Sequence, residues 1–248
     1  MIETNDNLVL IAGMSTTGKS ASLRNIKNPE GVMYLNCEHK KLPFRSKFQE
    51  FTITDPLQVY EAFSHAEDLD DIHTIVLDST SFMMGMYEQM HIIDNPPLNQ
   101  SGKPDTLAGW GNYGTFFRRL MTTYSANSSK TRIFLGHNKD FYNKEQMVKE
   151  TKVAIKGALN DTGIEAYFST CINTKRLLIE ELEGYENDLL VITPEERALG
   201  YKYVFQTKLT KDTVNERIRS PMGMWGNDET FIDNDVQLVI DRLNEFYN

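Results

Sequence analysis

The stretch Leu8-Val-Leu-Ile-Ala-Gly13-Met-Ser-Thr-Thr-Gly18-Lys19-Ser20-Ala-Ser-Leu23 reads as a β-strand, a glycine-flanked loop and the first turn of a helix. Gly13-x-x-x-x-Gly18-Lys19-Ser20 fits the P-loop pattern at every fixed position. Gly13, Met14, Ser15, Thr16, Thr17 and Gly18 are expected to turn successive backbone N–H groups toward one point, forming an anion nest. The helix that follows would add its dipole and its unpaired N–H groups. In this motif Lys19 reaches the β- and γ-phosphates, and the Ser20 hydroxyl binds Mg²⁺. The strand before the loop and the helix after it are the context the motif requires. A chance match in a Gly/Ser/Thr loop is therefore the weaker reading.

The chain of 248 residues is long enough for one large α/β domain with a substantial core, and 1–248 reads as that single domain. Hydrophobic content of 40% and charged content of 25% are those of an ordinary soluble globular protein. No run approaches the roughly 18 apolar residues of a membrane span, so no membrane partner is expected. The N-terminal Met1-Ile-Glu-Thr-Asn-Asp-Asn7 is too acidic and polar for a signal peptide. Cys37 and Cys171 are the only cysteines, and both lie in apolar, strand-like runs. Buried free thiols are expected, not a disulfide framework or a zinc site, and the expected location is the cytoplasm. The net charge of −9 and pI of about 5.1 argue against sequence-blind nucleic-acid binding by the whole surface. Any such site has to be a local basic patch on an acidic body.

Three more strands end in residues that complete a phosphate site. Val32 to Cys37 is short and apolar, as a buried parallel strand is, and Glu38 follows it. Ligands of open α/β sheets sit beyond the carboxyl ends of the strands. Glu38 should then share an edge with the P-loop and orient the attacking water. Ile72-His-Thr-Ile-Val-Leu-Asp78 ends in the carboxylate that would hold Mg²⁺ opposite Ser20. Arg132-Ile-Phe-Leu-Gly-His137 brings an imidazole to the same edge, where it could hydrogen-bond the γ-phosphate and report its loss. The plainer alternatives are a solvated loop glutamate, a chance strand-end aspartate and a packing histidine.

The remaining segments frame this edge. Phe51-Thr-Ile-Thr54 looks like a short strand, and Asp55-Pro56 opens a helix running to about Asp68. Ser81 to Ile93 is helical, with Met83, Met84, Met86 and Met90 as core filler. Residues 94–109 hold Pro96-Pro97, Ser101-Gly102 and Pro104, and read as a long mobile loop before a helix from Trp110 to about Ser125. A second loop is expected over 138–157. It carries Lys139, Lys144, Lys149, Lys152 and Lys156 with Phe141 and Tyr142, against Asp140, Glu145 and Glu150. From spacing alone it reads equally as a single-strand groove or as a solvated mixed-charge loop. Tyr201 to Lys208 alternates as a strand. Arg217 and Arg219, two apart on a strand, would share one face and could reach a phosphate in a neighbouring subunit. Asp233 to Phe246 is a capped amphipathic helix.

The order of P-loop, Asn-Cys-Glu38-His, Leu-Asp78-Ser and Gly-His137-Asn resembles the RecA-type ATPase core. Tyr34-Leu-Asn-Cys-Glu38-His39 is similar to the segment that gives RecA its catalytic glutamate. His137 falls where RecA has a glutamine sensor and some ring helicases a histidine. Segments 94–109 and 138–157 match the two DNA-binding loops of that core. Arg217-x-Arg219 resembles the basic pair that RecA-type subunits offer to a neighbour's ATP. More narrowly, Cys37-Glu-His-Lys-Lys-Leu-Pro-Phe44, Trp110-Gly-Asn-Tyr-Gly114 and Tyr203-Val-Phe-Gln-Thr with Arg219-Ser-Pro-Met-Gly-Met224 look like the phage single-strand annealing proteins of the Sak-four group. The resemblance implies a RecA-like α/β fold with a mostly parallel sheet, a C-terminal β-hairpin region and a terminal helix. It implies ATP and Mg²⁺ as ligands and slow, DNA-stimulated hydrolysis. The implied partners are single-stranded DNA, further copies of the chain in a ring or filament, and a single-strand-binding protein. Annealing or strand exchange in the host-cell cytoplasm is the implied role. Three other classes share the motifs: an oligomeric DNA motor, a small-molecule kinase, and a non-catalytic nucleotide switch.

Overall fold

Alternation along the first strand sends Leu8, Leu10 and Ala12 to one face and Val9 and Ile11 to the other, and all five are buried. A strand buried on both faces belongs in the middle of a sheet covered on both sides. The computed structural model, which describes residues 5–144 and 147–247, has that arrangement. The elements are β1 (Leu8–Gly13), β2 (Val32–Asn36), β3 (Gln49–Thr52), α1 (Gln58–Glu67), β4 (Thr74–Asp78), α2 (Thr80–Glu88) and α3 (Thr106–Arg119). They continue with β5 (Thr131–Asn143), β6 (Val148–Val153), α4 (Leu159–Thr162), β7 (Thr170–Leu178), α5 (Pro194–Leu199), β8 (Tyr201–Gln206), β9 (Phe231–Asp233) and α6 (Val236–Tyr247).

Among the described residues the strands run in the order β3-β2-β4-β5-β1-β7-β8-β9, with β6 paired to β5. From β3 to β7 every pair along that path is parallel; β7–β8 and β8–β9 are antiparallel. The fold is thus mixed α/β with a mostly parallel central sheet, an antiparallel C-terminal edge and a terminal helix. Helices α1, α2 and α3 cover one face through Phe63, Met83, Met84 and Phe117. Helix α6 and the turn after the P-loop cover the other through Val239, Leu243 and Leu23. Insertion of β5 between β1 and β4 sets His137 level with Gly13. Asp78 is level with Asn36 on β2, one residue short of Cys37. Cys37 and Cys171 are buried free thiols. Among the described residues no helix is long and apolar enough to cross a membrane.

Four segments differ from the sequence expectation. The turn after the P-loop is only a six-residue 3₁₀ helix, Ser20–Asn25. The Ser22 hydroxyl donates to the Lys19 carbonyl at 2.5 Å, a local bond that competes with regular helix. So short a turn contributes little dipole, and the anion nest falls to the loop itself. The loop expected over 94–109 ends sooner, because Asp105 accepts a hydrogen bond from Ala108 N (2.9 Å) and caps α3 at Thr106. Segment 138–157 is largely a hairpin: β5 continues past His137 to Asn143 and returns as β6, with Lys139 opposite Lys152. Residues 215–219 are not a regular strand. They make only isolated bridges, Glu216 to Thr151 and Arg219 to Cys171. Met1 to Thr4 and Glu145 lie outside the described residues.

The least expected core residue is Arg132, fully buried on β5. Its guanidinium pairs with Glu67 on α1 and lies 4.3 Å from the centroid of the Phe63 ring, while Nε and Nη1 have no partner. Burial pulls its pKa down to about 10 against the opposing pull of Glu67. Arg132 is buried while Glu67 reaches the surface, so removing Glu67 leaves the buried guanidinium without its counter-charge. Glu67→Ala is therefore expected to destabilise the fold by on the order of 3 kcal/mol. Adding Arg132→Met should recover most of that loss, as read by urea midpoints at constant slope.

Candidate nucleotide site

The carboxyl ends of β1, β2, β4 and β5 open into one cleft of about 680 Å³. Its walls include Gly18, Lys19, Ser20, Glu38, Asp78 and His137, so the residues singled out from four separate strand ends meet. The loop geometry depends on its two glycines. A Cβ on Gly13 would sit 2.1 Å from the Thr174 hydroxyl of β7, and Gly18 has φ +95°. Thr17 ties the loop to β7 through a 2.5 Å contact with the Thr174 hydroxyl. The Lys19 ammonium folds over the loop and donates to the carbonyls of Gly13 (2.9 Å) and Met14 (2.8 Å). Burial pulls the Lys19 pKa down to about 8, opposed by the charges of Glu38 and Asp78.

Ser20 and Asp78 meet as expected: the hydroxyl donates to Asp78 Oδ2 at 2.7 Å. The Tyr34 hydroxyl on β2 donates to the same oxygen, also at 2.7 Å. Asp78 Oδ1 is buried and has no partner. Burial raises the Asp78 pKa, although the Ser20 and Tyr34 bonds pull the other way. An unanswered carboxylate oxygen beside a hydroxyl is a hard-oxygen pair that suits Mg²⁺, which takes one or two protein oxygens and keeps waters and phosphates for the rest. Ser20 and Asp78 would hold the ion; when bound, it would neutralise charge on the β- and γ-oxygens. Among the described residues no group of three or more His, Cys, Asp or Glu side chains forms a metal cluster.

Glu38 and His137 touch. His137 Nε2 donates to Glu38 Oε1 at 2.5 Å, and the Ser79 hydroxyl donates to the same oxygen at 2.9 Å. Lys40 lies 3.2 Å from Oε2. Burial pushes the Glu38 pKa up, but the bond and charge of His137, with the bonds from Ser79 and Lys40, bring it down to about 2. Glu38 is therefore an ionised hydrogen-bond acceptor at neutral pH.

The other expected site residues lie elsewhere. Arg217 pairs with Glu150 of β6 (2.7 Å), and Arg219 donates to the Phe168 carbonyl (3.4 Å). Neither lines this chain's own P-loop cleft. Of the five hairpin-region lysines, Lys139 and Lys144 are exposed with no ion pair among the described residues. Lys149 pairs with Asp140 (2.7 Å) and Lys156 with Glu88 (2.9 Å). Lys152 does not fit a nucleic-acid contact: it is buried, and its ammonium donates to the Asn160 carbonyl at 2.5 Å. It is covered by the chain after β6, and its ammonium also lies 5.0 Å from the centroid of the Phe141 ring, which charge counting overlooks.

Residues 5–162 match the profile of a family described as AAA domain (AAA_24). The chain belongs to the AAA domain family. By family it is a nucleotide-binding P-loop ATPase. No curated protein matches this AAA-family chain. Among solved structures, the flagellar accessory protein FlaH from Methanocaldococcus jannaschii is 12% identical, over 82% of this chain and 78% of its own, with a TM-score of 0.38. A prototypical ATPase from the type III secretion system of pathogenic bacteria is 14% identical over 79% of this chain, with a TM-score of 0.41; the match spans 61% of that protein.

Tyr34, Ser79 and Lys40 escaped the sequence reading, and so did Thr174 behind the loop. Tyr34 sits two positions before Asn36, the residue level with Asp78, on the same face of the sheet; only the β2–β4 register reveals that. Tyr203 and Asn234, which line the far wall, come from the antiparallel edge. The Lys19 pKa gives a testable sign. Above about pH 8 the free site loses the ammonium that an anion needs, so binding must take up a proton. Nucleotide affinity should fall by about tenfold per pH unit above that point. Calorimetric titrations from pH 7 to about pH 9.5 read this, and Lys19→Arg should flatten the dependence.

Proposed function

We propose that the chain is a Mg²⁺-dependent ATPase that binds single-stranded DNA and acts, as an oligomer, in single-strand annealing or strand exchange. The observation that carries this reading is the 2.5 Å contact between Glu38 and His137. Glu38 is the group proposed to orient the attacking water, and His137 the sensor. His137 is also where β5 runs on from the central sheet into the hairpin with β6. One strand thus joins a hydrolytic carboxylate to an arm bearing Lys139, Lys144 and Lys149 with Tyr142 exposed near its tip. Rings for bases and cations for phosphates are what a single-strand surface needs. Lys149 would have to exchange Asp140 for a phosphate, and Lys156 would have to exchange Glu88. Arg217 and Arg219 are proposed to act on a neighbour's nucleotide, a head-to-tail contact that builds rings or open helices.

Glu38→Gln should lower ATP turnover by about a hundredfold or more while leaving ATP affinity within about twofold. Unchanged turnover in that variant would remove Glu38 from the chemistry. Single-strand affinity should fall steeply with salt, and Lys139→Glu with Lys144→Glu should weaken it and flatten the salt slope. Fluorescence anisotropy with a labelled oligonucleotide reads both. Absence of binding at low salt with ATP present would overturn the DNA half of the proposal.

A further inference from the structure

We propose that Lys40 is a catalytic residue, supplied in cis, whose ammonium moves from Glu38 to the terminal phosphate of the triphosphate bound at its own P-loop. The proposal rests on the ATPase reading above and adds a charge that neither the P-loop nor the arginine pair provides. Lys40 lines the same cleft as Lys19, Ser20, Asp78 and His137. Its backbone is fixed. Cys37 N donates to the Asp78 carbonyl (2.7 Å), starting the turn beside β4. His39 takes φ +56° and its ring nitrogen bonds the Ile53 carbonyl at 2.7 Å. The buried Asn36 amide donates to the Lys40 carbonyl at 2.8 Å.

The Lys40 side chain is not fixed in the same way. It is 69% exposed, and its ion pair is with one oxygen of Glu38. Its ammonium also lies 5.5 Å from the centroid of the Phe82 ring. An ion pair this exposed is weak and easily exchanged. A carboxylate that orients water must stand beside the γ-phosphoryl group, so a cation resting on Glu38 is one side-chain swing from the γ-oxygens. In hydrolysis the water oxygen bonds to the γ-phosphorus. The bond from phosphorus to the β–γ bridging oxygen breaks, leaving its electron pair on ADP, and the water proton passes to Glu38. Negative charge on the γ-oxygens and bridging oxygen is what an ammonium stabilises. Its departure from Glu38 also frees Oε2 to accept from the water. The left-handed turn at His39 accounts for the placement: it folds Lys40 back toward Glu38, two residues earlier.

Lys40→Ala should lower kcat by about a hundredfold. Calorimetry supplies a readout independent of turnover: ADP affinity should not change, whereas a non-hydrolysable ATP analogue should bind about tenfold more weakly. Lys40→Arg should restore part of both. Mixing Lys40→Ala with Glu38→Gln separates cis from trans. With Lys40 acting in cis, every site in the mixture lacks one group, and activity stays at the sum of the parts. Recovered activity on mixing would place Lys40 in a neighbour's site and overturn the proposal. So would equal losses for ADP and the analogue, or turnover that stays level or rises, as release of a merely restrained Glu38 would produce. A wild-type protein that binds ATP without hydrolysing it would sink the ATPase reading instead, and the calorimetric comparison would still judge the Lys40 contact.

Discussion

A carboxylate as buried as Asp78 has to be answered by donors. One oxygen is answered twice, by Ser20 from the P-loop and Tyr34 from β2, and the other not at all. This arrangement organises the carboxyl edge of the sheet. It draws the loop after β1 across β5 to the end of β4, and it places a phenol under the site whose replacement by an apolar side chain would leave Asp78 Oδ2 with the Ser20 hydroxyl alone. The unanswered oxygen keeps a capacity that a fully satisfied buried aspartate would lack. Stability and ligand capacity are set against each other at this residue, as they often are at functional sites.

The neighbouring carboxylate shows the opposite solution. Glu38 is less buried and receives His137, Ser79 and Lys40, so its pKa falls while that of Asp78 rises. Two carboxylates on adjacent strand ends are thereby driven apart by environment, the pattern that assigns different tasks to like groups. A single topological fact produces it. With β5 between β1 and β4, a histidine reaches Glu38 and the Asp78 strand keeps its distance from the P-loop strand.

The strand-end residues were legible because a parallel sheet converts sequence position into a shared edge: an apolar run followed by Glu, Asp or His needs no tertiary information to be placed there. The fold class followed from the same runs. What stayed hidden depends on pairing across the sheet or on side-chain direction. Tyr34 looked like core until β2 was registered against β4. Lys152 reads as a surface charge, and only the fold shows it covered by the Asn160 carbonyl and the Phe141 ring. The 138–157 segment looked like loop because polar alternation on a two-stranded arm carries no apolar face to announce it. The shortness of the turn after the P-loop is not legible in the sequence, because it goes with a local bond from the Ser22 hydroxyl to the Lys19 carbonyl.

Charge at the cleft limits how a nucleotide is received. Lys19, Arg24, Lys40 and Lys41 stand against Asp78 and Glu38, and Lys202 is paired with Glu196 and Asp233, so cations outnumber carboxylates in the cleft by one. The cleft has no large surplus of positive charge to draw in a polyanion, in keeping with the acidic body around it. Affinity for a triphosphate would then come from oriented loop N–H groups, from a divalent cation at Ser20 and Asp78, from the exposed Lys41 at the cleft, and from cations leaving their present partners. Lys19 would leave the Gly13 and Met14 carbonyls and Lys40 would leave Glu38, so binding would change the partners of the carboxylate proposed to orient water. Glu38 is hydrogen-bonded to His137 at the root of the hairpin, so a change in the partners of Glu38 would be felt first where β5 leaves the central sheet for the lysine-bearing arm.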